Sequence, residues 1–148
     1  MSFGQFVELV SRKIREYSTN PARNWPNART AGEYFTNRSA GDMAYQRGML
    51  MALNWNAAIR QVTGGRQSLD DLMRTLVRGP EPLSTATIAA ELRRIGVTGA
   101  ETDLQHWVEA GETIEVRADA LGPGAEKTSS GFRVRLGAVE QDCVRWFR

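Results

Sequence analysis

"MAYQRGMLMALNWNAAIRQVTGG", residues 43–65, is the stretch whose reading decides the fold. Met, Leu, Ala, Trp and Ile recur on nearly every side of a helical wheel, the pattern of a central helix buried all round. Gly64 and Gly65 stop it, since glycine enters the left-handed conformation that closes a helix without steric cost. Asp42 is placed to cap the start, so the helix is expected to run from there to about Val62. Polar side chains interrupt the apolar run, among them Tyr45, in the expected first turn, then Arg47, Asn54 and Asn56.

Working outward, Phe3, Phe6, Val7, Val10, Ile14 and Tyr17 recur at helical spacing and predict an amphipathic helix over residues 3–18. "STNPARNWPNART" (18–30) reads as a loop, and "TAGEYFTNR" (30–38) as a short helix carrying Tyr34 and Phe35. After the central helix, Ser68 and Asp71 form a capping-box pattern. Leu69, Leu72, Met73, Leu76 and Val77 are expected to make the core face of the helix that follows. "RGPEPL" (78–83) is a turn. Ser84 or Thr85 opens a helix closed by Gly96, and Thr98 with Glu101 starts another that ends at Gly111.

Beyond Gly111 the pattern changes. "TIEVRA" (113–118) and "GFRVRL" (131–136) alternate with period two on either side of "DALGPGAEKTSSG", predicting two antiparallel strands joined by a mobile loop. The expectation is a mainly α, multi-helix bundle with a small C-terminal β-hairpin. Residues 1–111 would form the bundle and 112–148 a hairpin and tail packed on it, one domain overall.

The composition bounds the chemistry. With 148 residues, 41% hydrophobic and 24% charged, the chain can bury a real core. Its 19 basic and 17 acidic residues are scattered, which argues against a nucleic-acid surface. No apolar run approaches the roughly 18 residues of a membrane span, and no export signal is visible. The pattern leaves localisation open.

Cys143 and His106 are the only residues of their kinds, so neither an H-E-x-x-H zinc helix nor a thiolate zinc cluster can be assembled from this chain. His106 reads as a surface or boundary histidine, and Cys143 as a small, partly buried thiol. No metal ligand is assigned. Tyr45 has two readings: an aromatic in the first turn of a core helix, or a phenol at a cleft that donates a hydrogen bond to a developing oxyanion.

The order of residues around Tyr45 bears on that choice. "YQRGMLMALNWNAAIRQVTGGRQSLDDLMRTL" (45–76) resembles the segment after the zinc site in the glycyl aminopeptidase family of gluzincin metallopeptidases, with Tyr45, Arg47, Gly48, Arg60, Gly64, Ser68, Leu69, Asp70, Asp71 and Met73 in register. "FGQFVELVSRKIREYSTNPARN" (3–24) is similar to the helix and loop after the third zinc ligand. "TDLQHWVEAGETIEV" (102–116) is similar to the segment where the family's bundle gives way to short strands.

The resemblance implies that a longer parent enzyme holds zinc on two histidines and a glutamate preceding Met1, and that its substrate is a peptide. It implies that Tyr45 stabilises the tetrahedral intermediate and places Arg47 as a candidate substrate-binding residue. Arg47 stands where related enzymes more commonly have lysine, so the charge is kept and the geometry is not. By this reading the chain is a fragment or remnant that walls the substrate cleft, holds no zinc of its own, is inactive alone, and self-associates through the apolar surface its missing half would cover.

Two other readings stand beside it. Residues 83–117 with "GFRVRL" could form a winged-helix, nucleic-acid-binding arrangement, though the would-be recognition helix carries Glu101, Asp103 and Glu109 and no Lys or Arg, the wrong sign for phosphates. The other is a protein-interaction module without chemistry.

Overall fold

The computed structural model describes residues 1–139, 141, 146 and 147; Cys143, expected as a partly buried thiol, lies outside them. The described chain is mainly α with one two-stranded antiparallel hairpin near its C-terminus. The helices are α1 (Phe3–Thr19), α2 (Asn27–Gly32), α3 (Arg38–Thr63), α4 (Leu69–Arg78), α5 (Thr85–Ile95) and α6 (Ala100–Asp103). A π-helical stretch, Leu104–Glu109, continues α6. The strands are β1 (Ala125–Thr128) and β2 (Gly131–Val134).

The central helix is longer than its sequence suggests. Asn37 caps it by accepting from Ser39 N–H at 3.0 Å, while Asp42 lies inside the helix and pairs with Arg38 at 3.7 Å. Tyr45 is therefore two turns in, not in the first turn. Gly64 ends the helix at φ 61°, as the glycine pair predicts. At 26 residues, about 39 Å, α3 is long enough to serve two cores. Its first half packs Met43, Leu50 and Leu53 against Phe3, Val7 and Val10 of α1. Its second half packs Trp55 and Ile59 against Leu72, Leu92 and Leu104.

Four polar residues within α3's buried face each fasten a different segment. Arg47 is 4% exposed and donates through Nη2 to the carbonyls of Arg23 (3.0 Å) and Trp25 (2.6 Å). Asn54 donates to Glu115 O and accepts from Arg117 N–H, both at 2.9 Å. Asn56 accepts from Leu69 N–H at 3.0 Å, holding the start of α4. The Arg60 guanidinium lies over the Trp146 ring at 5.3 Å. A buried polar side chain is tolerated where it satisfies backbone groups that would otherwise go unpaired, and loops without a ladder supply such groups.

Three local expectations are corrected. The short helix ends at Gly32, so Tyr34 and Phe35 lie in the turn after it. On α4 the capping box forms, but only Leu69, Leu72 and Leu76 face the second core; Met73 and Val77 are exposed, Val77 by 78%. These two lie one position further around the wheel, past the edge of the buried stripe.

The third correction concerns the hairpin. Its first strand is "AEKT" (125–128), inside the expected mobile loop, paired in register Ala125↔Val134 through Thr128↔Gly131. "TIEVRA" joins no ladder among the described residues. Its alternation is real, with Ile114 and Val116 in the first core, yet its backbone is satisfied by side chains. Tyr17 Oη accepts from Ile114 N–H (2.8 Å), Asn54 takes residues 115 and 117, and Lys127 Nζ donates to Val116 O (2.6 Å). The hairpin lies on α1, where Ser11 Oγ accepts from Phe132 N–H and lies 2.9 Å from Phe132 O. A Cβ at Gly131 would fall 2.7 Å from the Ser11 side chain.

Candidate functional site

The helices α1 and α3 leave a crevice between them, and Tyr45 stands at one end of it. Lys13 and Glu16 of α1, Asn20 and Pro21 beyond its end, and Arg38, Ser39, Asp42 and Gln46 of α3 line an open groove of about 870 Å³. Its floor is fixed by hydrogen bonds: Asn20 Nδ2 donates to Ser39 O (3.1 Å) and Gln46 Oε1 (3.0 Å), and Asn20 Oδ1 accepts from Ala22 N–H (2.8 Å). Lys13 Nζ donates to Glu16 Oε2 at 2.7 Å, and this bond holds the Glu16 carboxyl below its ordinary range.

Tyr45 is 73% exposed and lines this groove. Its hydroxyl accepts a hydrogen bond from the Tyr34 hydroxyl at 3.2 Å. That bond, then the neighbouring phenol's charge, raise the Tyr34 pKa above the usual phenol value, so Tyr34 remains a proton donor throughout the neutral range. The Tyr45 hydroxyl, accepting from Tyr34, has its own proton directed elsewhere. A phenol fixed by one bond and free to donate another is the geometry that a hydrogen-bond donor to a developing oxyanion requires.

On the other side of Tyr45 the surface is aromatic. Phe35, 94% exposed, meets the edge of Tyr34 with ring centroids 4.8 Å apart. Tyr34 and Phe35 form one wall of a second cavity of about 360 Å³, with Ala44, Gly48, Met51 and Val108 opposite. The Arg29 guanidinium stacks over Trp25 at 3.5 Å nearby.

Arg47, the other residue the sequence singles out, borders that second cavity but spends its guanidinium on the 20s loop. Burial works against its charge, lowering its pKa, and its Nε finds no acceptor among the described residues. Arg47 and Tyr45 are two residues apart on the helix and so face different ways. His106 is exposed and lies 3.1 Å from Glu112, away from the α1–α3 crevice.

Among the described residues, no three His, Cys, Asp or Glu side chains are close enough to hold a metal ion. No helix among them is long and apolar enough to cross a membrane.

The residues sequence reasoning missed are those of α1 and its C-terminal loop, Lys13, Glu16 and Asn20. Their signal was the polar flank of an amphipathic helix, which normally faces only water. No protein-family model matches this chain, and no curated protein matches it.

Proposed function

We propose that this chain is the helical half of a glycyl-aminopeptidase-like zinc peptidase, in which it walls the substrate cleft and donates the Tyr45 hydroxyl to the tetrahedral intermediate. The observation that carries this reading is the exposed Tyr45 phenol on the α1–α3 groove, anchored by Tyr34 at 3.2 Å. Its polar companions within the same helix, Arg47, Asn54 and Asn56, are engaged in holding backbone.

Zinc, held by a preceding segment, would supply the activated water. This chain's residues would hold the peptide along the groove and present a preorganised donor where negative charge develops. Peptide amides match the groove's mixture of Asn20, Gln46 and charged groups at its rim. Its partner is thus a peptide. In the chain alone, the exposed Phe35, Tyr45, Met73 and Val77 would support self-association.

The winged-helix alternative finds no favouring observation: β1 and β2 pack on α1, and α6 passes directly into a π-helical stretch.

The test begins with the reading frame upstream of residue 1, translated for about a hundred codons. A frame encoding H-E-x-x-H with a downstream glutamate fits the reading, and Tyr45→Phe in that longer protein should lower kcat about 10²-fold or more with little change in KM. A frame closed by a stop codon, or full kcat in Tyr45→Phe, overturns it.

A further inference from the structure

We propose that the cavity between α2, the turn after it and α3 binds a small organic acid, an apolar body ending in a carboxylate, with Arg47 as its counter-charge. Ala44, Arg47, Gly48 and Met51 recur at helical spacing and give α3 one continuous face on this cavity of about 360 Å³. Ala31, Tyr34, Phe35 and Val108 line it from other elements.

Two features of the α3 face are costly for the protein alone. The first is charge. Arg47 is 4% exposed, yet no carboxylate pairs with it among the described residues. Its Nη2 is spent on the carbonyls of Arg23 and Trp25, and its Nε is a buried donor with no acceptor among the described residues. Carbonyl oxygens meet part of a guanidinium's hydrogen-bonding capacity but do not neutralise it, and a buried charge is ordinarily paired.

The second is Gly48. It lies in the interior of α3, where glycine is destabilising relative to alanine, and a close neighbour is the usual reason for keeping it. Here a Cβ would meet nothing within 4 Å. The absent side chain leaves room beside the charge that lacks a partner.

The ligand's chemistry follows from the lining. A carboxylate entering past Gly48 sets one negative charge against one positive charge, and apolar walls strengthen that attraction by keeping water out. No second Lys or Arg lines the cavity, so a phosphate dianion would remain half-neutralised. The volume holds roughly a dozen non-hydrogen atoms, which suits a single aryl or branched-alkyl body.

This cavity is separate from the Tyr45 groove, and the inference does not rest on the proposed function. Its test is binding to this chain, read by NMR on isotope-labelled protein at the Gly48 amide and at Arg47 Nε–H. The probe is phenylpropanoate. Phenylpropanamide, acetate and acetyl-Ala-Ala-Phe with a free C-terminus are the comparison ligands.

We expect saturable shifts at both positions with phenylpropanoate. Binding should be at least about tenfold weaker for the amide, which lacks the charge, and for acetate, which lacks the body. Gly48→Leu places a side chain in the cavity, strikes no neighbour at its Cβ and raises helix propensity, so it should fold and abolish binding. Arg47→Met should weaken binding at least about tenfold. Circular dichroism checks the fold of each variant, and Gly48→Leu decides the matter if loss of Arg47 unfolds the loop before α2.

Absence of saturable shifts in the wild type, equal affinity for phenylpropanoate and either its amide or acetate, or binding retained by a folded Gly48→Leu overturns the proposal. Tighter binding of acetyl-Ala-Ala-Phe than of phenylpropanoate assigns the carboxylate to the end of a peptide and also overturns it.

Discussion

The Tyr34 hydroxyl donates to the Tyr45 hydroxyl across 3.2 Å, tying the turn after α2 to a point two turns inside α3. The bond raises the Tyr34 pKa. A phenol whose folded pKa is raised contributes stability that is fully present below its unfolded pKa and is lost as pH rises through the folded value. The contribution of this pair is therefore constant at neutral pH and disappears above about pH 10. Ultraviolet titration should show one phenol ionising late, and Tyr45→Phe should return it to the ordinary range; an unchanged late transition in that variant would contradict the assignment.

Asn54 satisfies two backbone groups of a segment that has no ladder. Asn54→Ala removes both bonds and should cost about 2–4 kcal/mol in urea unfolding. Asn54→Asp keeps the acceptor for Arg117 N–H and should cost less. Equal losses for the two variants would show that the hydrogen bonds are not the cause.

The carbonyl of Trp25 is held from two sides. Arg47 donates to it at 2.6 Å, and a Cβ at Gly111, where φ is 74°, would fall 2.3 Å from the same oxygen. Gly111→Ala is both strained and obstructed, and should destabilise the fold by at least about 2 kcal/mol. Arg47→Met should raise hydrogen exchange in residues 22–30 more than in α4 or α5, an ordering that a general loss of stability would not produce.

Asp119 accepts two hydrogen bonds from Arg117, at 2.8 and 2.7 Å, and these hold its carboxyl below the ordinary range. A depressed folded pKa gives stability that is present above the unfolded value and lost as pH falls through the folded one. The stability difference between wild type and Asp119→Asn should thus be largest near pH 6 and shrink below about pH 4. Both groups are partly exposed, so the effect is small and screened by salt.

If the exposed aromatic and aliphatic side chains drive association, light scattering at rising concentration should show species larger than 16.5 kDa. Phe35→Ser with Val77→Ser should reduce them. A constant monomer mass for the wild type would refute that part of the reading.

Much of this was legible from the sequence, for reasons that also mark where reading stops. The central helix declared itself because apolar residues on every side have only one stable setting, and Gly64, Ser84 and Gly96 act through backbone chemistry that is local. The hairpin was displaced because "TIEVRA" has the alternation of a strand but finds its partners in Tyr17 and Asn54, far away in the chain. The true first strand, "AEKT", is too short and polar to stand out. Asn37, the actual cap, is masked in the sequence by Asp42, which offers the same chemistry closer to the apolar run. The groove itself could not be read, since Lys13, Asn20 and Tyr45 meet only once α1 and α3 have packed.

The borrowed partners of residues 114–117 also set an order of assembly. Tyr17 and Asn54 stand on different helices, and neither can receive this segment until α1 and α3 have docked. Local helix contacts form quickly, whereas contacts across some 60 to 100 residues wait on the closure of long loops. The last third of the chain should therefore be the final part to consolidate, and Asn54 variants should accelerate unfolding far more than they slow refolding.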